Sequence, residues 1–167
     1  MADHDQERAV TTEPDEWRVL APLRILDGQS LPRGIVDFLS PVDVVVLGYH
    51  VVPDQTPPGQ ARMQFEAQAE AALDDVATEI RAQGGDVETR LVFTDERDQT
   101  FDRVAAETGS EVLLLSNPVA SVDRLLVAIR GGVNVERIAD FVAPLVADRD
   151  VAVTLFSSVP DESKVEG

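Results

Sequence analysis

Short, dense apolar runs alternate along this chain with stretches in which apolar residues recur every three or four positions. Arg18 to Leu23 (Arg-Val-Leu-Ala-Pro-Leu) predicts a first strand. Leu31, Ile35 and Leu39 then fall on one helical face, with Ser30 as the expected N-cap and Pro32 in the first turn. Val42 to Val52 is so rich in β-branched residues that it suits a central strand covered on both faces. A proline-rich loop, Pro53 to Gly59, precedes a helix displaying Phe65, Ala69, Ala72, Val76 and Ile80, which Gly84-Gly85 ends. Val87 to Phe93 predicts a third strand. Phe101, Val104 and Ala105 form the stripe of a helix that stops at Gly109, and Val112 to Leu115 predicts a fully buried fourth strand. Arg124 to Ile129 reads as strand and Gly131-Gly132 as turn. Asn134 caps a helix displaying Ile138, Phe141, Val142 and Leu145, in which Pro144 removes a backbone donor. Val151 to Phe156 is the last strand.

Strands that alternate with helices predict right-handed βαβ units: a three-layer α/β/α, doubly wound, mostly parallel sheet of five to six strands. The domain is expected over residues 17–159, between disordered acidic tails at 1–16 and 160–167. In such sheets ligands bind beyond the carboxyl ends of the strands, where strand order reverses. The loops after Leu23, Val52, Phe93, Leu115 and Ile129 are therefore the places for a site.

Charge narrows the function classes. Asp and Glu number 31 against 14 basic residues, a net charge of −17, and Lys164 is the single lysine. Such a surface repels nucleic acid and anionic lipid. It also repels itself, a penalty that largely vanishes in molar salt, where the Debye length is about 3 Å. Dense carboxylates with arginine kept and lysine almost absent point to a salt-rich cytoplasm. No apolar run is long enough to span a membrane, and residues 1–16 lack the layout of a secretion signal, so a cytoplasmic location without membrane insertion is expected. Cysteine is absent, which excludes disulfides and thiolate chemistry. With His4 and His50 the only imidazoles, no metal site is expected.

Several local strings carry candidate chemistry. Asp27-Gly28 with Ser30, after the first strand, is either a glycine turn leading to a helix or a set of anion and ribose contacts. Arg130-Gly-Gly-Val-Asn134 is either an ordinary strand-to-helix turn or a cradle of backbone amides with Arg130 adding charge. It has neither the lysine nor the hydroxyl of a Walker loop. His50, next to Tyr49 at a strand end, has no evident carboxylate partner and reads as a packing histidine. Ser116-Asn117-Pro118 is a turn that can lend a hydroxyl, and the lone Trp17 reads as an anchor where the tail meets the first strand. Asp74-Asp75 and Asp95-Glu96-Arg97-Asp98 read as solvated faces, and no Gly-x-Ser-x-Gly elbow occurs.

The order of elements and several strings resemble the universal stress protein family over nearly all of Trp17 to Val159: Arg18-Val-Leu-Ala-Pro-Leu23 its opening strand, Gly48-Tyr-His-Val-Val52 its second, Val87-Glu-Thr-Arg-Leu-Val92 its third and Glu111-Val-Leu-Leu-Leu115 its fourth. ATP-binding members of that family carry Gly-x-x-Gly, nine residues, then Gly-Ser or Gly-Thr after the fourth strand. Here Ser116 and Val119 stand at the two glycine positions, Ile129-Arg130 at the third, and Gly131 comes two positions late. The first-strand aspartate is displaced as well, to Asp27. The string from Arg124 to Asn134 is similar to the opening strand and loop of stress-protein modules attached to transporters.

The resemblance implies a non-enzymatic stress or regulatory module that works as a homodimer through its last strand, with Val151, Val153, Leu155 and Phe156 at the interface. A protein partner or a transporter is a further candidate. Side chains where the family has glycine obstruct a triphosphate, so no cofactor and no conventional ATP site are expected. The alternative is an adenine-nucleotide sensor with a non-standard loop, its contacts drawn from Leu23, Asp27, Val51, Ser116, Arg130, Gly131, Gly132 and Asn134. A nucleotide hydrolase of the wider superfamily is not expected, because neither a Ser-Gly-Gly-x-Asp-Ser loop nor a His-Ile-Gly-His signature is present.

Overall fold

A computed structural model describes residues 17–158 except 131; Gly131, His4 and both expected tails lie outside the described residues. The elements run β1 (Arg18–Arg24), a 3-10 turn (Ile25–Asp27), α1 (Arg33–Leu39), β2 (Asp43–Val51), α2 (Pro58–Ala82), β3 (Val87–Thr94), α3 (Arg97–Thr108), β4 (Val112–Leu113), β5 (Arg124–Arg130), α4 (Val135–Val146) and β6 (Ala152–Ser158). All strand pairs are parallel. Four strands form one sheet in the order β3-β2-β1-β4, and β5 and β6 form a second, parallel pair. The α/β class is the one expected. The six strands, however, divide four and two.

Side-chain alternation assigns the two faces of the main sheet. Val19, Ala21 and Leu23 of β1 with Val44 and Val46 of β2 pack with α1, α2 and Leu145 of α4. Leu20, Val45, Leu47 and Tyr49 pack on the opposite face with Phe101 and Val104 of α3. The dense run in β2 is thus buried on both sides, as its composition demands. No described helix is long and apolar enough to cross a membrane.

The shortness of β4 has a cause in β1. The carbonyls of Arg18 and Leu20 accept from the amides of Glu111 (3.1 Å) and Leu114 (2.8 Å), so alternate residues of β1 point their backbone groups at β4. The next in that series is Pro22, which has no N–H to offer. The ladder stops after Leu20 opposite Leu113. The fourth strand is therefore neither four residues long nor fully buried: Leu113, on the α3 face, is 48% exposed, and Leu115 beyond it 74%.

Two other boundaries shift for local reasons. Ser30 does not cap α1. Pro32 sits at the cap in an extended conformation (φ −58°, ψ 140°), and its carbonyl accepts the first helical amides, from Ile35 (2.9 Å) and Val36 (3.0 Å). Pro32 also holds Leu31 out of the helical region, which leaves Ser30 too far upstream. Val151 precedes β6 and packs against the core instead of the strand edge.

Two arginines fasten the C-terminal unit to α1 and to the residues just before β1 and β4. Arg149 donates to the carbonyls of Phe38 (2.7 Å), Asp37 and Leu145 (3.2 Å) and to the Ser40 hydroxyl (3.2 Å), closing the end of α1. Arg137 grips both carboxylate oxygens of Glu111 at 2.5 Å and lies 4.6 Å above the Trp17 ring. The hydrogen bond that Arg137 donates to Glu111 and the charge of that carboxylate raise the Arg137 pKa above its ordinary value. Trp17 also packs 5.1 Å from Phe141, so it is an anchor as expected, although it anchors α4.

Candidate functional site

Strand order reverses between β1 and β4, and the crevice beyond their carboxyl ends is where a ligand of this fold belongs. On the β1 side the chain closes on itself. The Arg24 amide donates to Gln29 Oε1 (2.8 Å), the Gln29 amide to the Arg24 carbonyl (3.4 Å), and Gly28 turns the chain at a φ of 72°. Asp27 projects to solvent and pairs with Arg24 at 3.7 Å. Leu23 is 1% exposed and belongs to the core, so its side chain meets no ligand.

On the β4 side there is no glycine loop. The chain leaves the sheet at Leu114, passes the half-buried Ser116 and the exposed Val119, and settles on α1. A Cβ on Gly34 would stand 2.5 Å from the Ala120 carbonyl oxygen and 3.0 Å from the Ser121 amide. This segment therefore lies over the first turn of α1 in backbone-to-backbone contact.

The 130–134 turn belongs to the second sheet. Arg130 pairs with Ser158, Gly132 is exposed, and the Asn134 side chain accepts from the Arg137 amide at 3.1 Å as the cap of α4. Among the described residues no hydrogen bond or ion pair joins this turn to the loops after β1, β2 or β4. The residues proposed for a nucleotide are accordingly spread over two places: Leu23, Asp27, Val51 and Ser116 at the main sheet, and Arg130, Gly132 and Asn134 at the second.

An open cleft of about 460 Å³ does exist beyond β1 and β2, and most of its lining was not foreseen from the sequence. Arg24, Val51, Arg97 and Asp98 line it. Arg24 Nε donates to the Tyr49 hydroxyl at 3.4 Å, and that bond leads the causes that raise its pKa. Arg97 bonds Asp98 at 2.8 Å, which raises its own pKa, and its guanidinium lies 6.0 Å from the Phe101 centroid. The sequence signal is positional only: Arg24 ends a strand, and Arg97 opens the helix after another. His50 packs between Phe65 and Phe93, each 5.9 Å away, as a packing histidine does.

The second sheet carries the other notable surface. Val153, Leu155 and Phe156 of β6 are 45%, 59% and 59% exposed, and the strand pairs with β5 alone among the described residues.

No family model matches the chain, and no curated protein matches it. Solved structures with a similar chain path include a hypothetical protein whose biochemical function was assigned from its structure (10% identity, TM-score 0.45, 87% of this chain and 99% of that one). The universal stress protein from Archaeoglobus fulgidus in complex with dAMP is another (12% identity, TM-score 0.39, 84% and 98%). A third is a universal stress protein in complex with cAMP (18% identity, TM-score 0.37, 86% and 98%). Likenesses this distant carry no argument about this chain's ligand or activity, which rests on its own residues.

Proposed function

We propose that this chain is a non-enzymatic regulatory module, similar to universal stress proteins, that acts as a homodimer through β6 and does not bind ATP in a glycine loop. The observation that carries the reading is β6 itself. An unpaired strand edge bearing Val153, Leu155 and Phe156 on both its faces is a surface that proteins cover or blunt. A two-fold pairing of identical apolar strands needs no opposite charge, and the repulsion between two copies of net charge −17 is screened in molar salt. The Ala120–Ser121 backbone resting on Gly34, with Ser116 and Val119 in place of glycines, supports the absence of a phosphate loop.

The test is oligomeric state in molar potassium chloride, the salt-rich cytoplasmic condition that the composition favours. Sedimentation of the full chain should give a dimer at micromolar concentration, and Leu155→Arg should give a folded monomer. A monomeric wild-type chain, or a Leu155→Arg variant that remains dimeric, defeats the reading.

A second reading has one observation in its favour, the cleft that places Val51 beside Arg24 and Arg97. It makes the chain an adenine-nucleotide sensor. A rise in thermal midpoint with ATP, AMP or cAMP that Arg97→Gln removes would establish it, and no shift with any of the three would end it.

A further inference from the structure

We propose that the apolar cavity between the main sheet and the β5–α4 unit binds the hydrocarbon chain of a small amphiphilic carboxylate, with Arg124 at its mouth as the head-group partner. The cavity measures about 370 Å³, and all fourteen side chains that line it are apolar, drawn from β1, α1, β4, the segment before β5, β5 and α4. Close-packed interiors leave few voids larger than a water molecule. An apolar void of about 150 Å³ stays dry and accepts benzene. This one is more than twice that volume and falls within the range of about 300–1,000 Å³ typical of ligand pockets. Without an apolar occupant its walls lack dispersion partners on one side.

The mouth supplies the second half of the ligand. Leu126 lines the cavity and is nevertheless 65% exposed, so the cavity opens along β5. Arg124, Leu126, Ala128 and Arg130 share one face of that strand. Nine of the twelve described arginines form ion pairs. Arg124 and Arg130 form none among the described residues, in a chain where carboxylates outnumber basic groups two to one. Even the adjacent Asp123 is taken elsewhere, accepting from the Ser121 hydroxyl at 3.1 Å. Arg124 lies two residues before Leu126 on the same face of β5, which sets an uncommitted cation on the exposed side of the cavity. An uncommitted guanidinium beside an apolar cavity selects a ligand that is anionic at one end and alkyl at the other.

Calorimetric titration of the full chain in molar potassium chloride with hexanoate, octanoate, decanoate and decanol tests this. Trp17 fluorescence is a parallel readout, because Trp17 packs against the cavity wall at Phe141. Each buried methylene is worth about a fourfold gain in affinity, so successive acids should tighten about fifteenfold. Decanol should bind at least fivefold more weakly than decanoate. Arg124→Gln should remove that difference and leave decanol unchanged, whereas Arg130→Gln should alter neither. Equal affinity along the acid series overturns the cavity. Decanol as tight as decanoate, or an equal loss in Arg130→Gln, overturns the role of Arg124.

Discussion

Gly34 and Gly59 are each the second residue of a helix, α1 and α2 respectively, and the same substitution should have opposite signs at the two. Replacing glycine by alanine inside a helix gains about 0.5–1 kcal/mol, largely by reducing the freedom of the unfolded chain. At Gly59 nothing lies within 4 Å of the new methyl, so the full gain should appear. At Gly34 the methyl meets the Ala120 carbonyl oxygen at 2.5 Å, its carbon at 2.8 Å and the Ser121 amide at 3.0 Å. All three are backbone atoms that no rotamer change can move. Forced overpacking of this kind costs about 1–3 kcal/mol, which exceeds the propensity gain. Gly34→Ala should therefore destabilise by about 1 kcal/mol and Gly59→Ala stabilise by about 0.5 kcal/mol. For a domain of this size that is about 2–4 °C down and about 1–2 °C up in thermal midpoint. Urea melts followed by circular dichroism in molar potassium chloride, with both variants beside the parent, read the two signs directly. If both variants gain stability equally, the 114–123 segment does not rest on α1.

Arg149→Met keeps the apolar stem over Phe38 and removes every donor from the end of α1; it should cost about 2 kcal/mol in a urea melt, and an unchanged midpoint would refute the clamp. The thermal midpoint should climb steadily as potassium chloride rises from about 0.1 M to about 1 M, over which the Debye length falls from about 10 to 3 Å. A flat profile would show that the charge of −17 exerts no net repulsion on the fold. Pro22→Ala creates an amide on the side of β1 that faces β4, and hydrogen exchange should find it protected like its neighbours in the strand. Exchange at the rate of an open loop would refute the explanation given for the short β4.

The first half of the fold was legible because its signals are local and redundant. The run Val42–Val52 has a composition that only a strand buried on both faces can use, and residues 43–51 form it. Gly109 ended α3 where expected, in the left-handed conformation at φ 66° that glycine adopts without strain. The second half was legible only as a list of elements. Val112 to Leu115 has the composition of a buried strand, and its exposure depends on Pro22, ninety residues upstream in sequence and across one ladder in space. Ser30 is not the cap for a related reason: a serine ahead of a helical pattern is a good cap by itself, but Pro32 overrides it. Of the residues weighed as nucleotide contacts, Asn134 was right in its local chemistry, since it caps α4, and that same bond commits its side-chain oxygen. The arginines that line the cleft or the strand face, Arg24, Arg97 and Arg124, could not be ranked in a sequence with thirteen arginines, because pairing is a tertiary property.

The departures from a phosphate-binding sheet follow from one another. Pro22 withholds the donor that would carry the β1–β4 ladder further, so β4 ends after two residues. Released early, the chain does not arch over the switch point with its amides aimed inward. It descends onto α1, where Gly34 makes room for the Ala120–Ser121 backbone. The carboxyl ends of β1 and β2 are left with guanidinium–carboxylate pairs that compensate each other, Arg24 with Asp27 and Arg97 with Asp98. The surface that remains uncommitted lies elsewhere. Of the eleven large apolar residues that are exposed among the described residues, nine occur from Leu113 onward, and the cavity walls include β5 and α4 from the same region. Selection for a charged ligand at the switch point would leave apolar exposure scattered and polar groups convergent. Here the polar groups of the crevice pair with one another, and five of those nine exposed apolar residues lie on β4, β5 and β6, a distribution that supports the pairing proposed for β6.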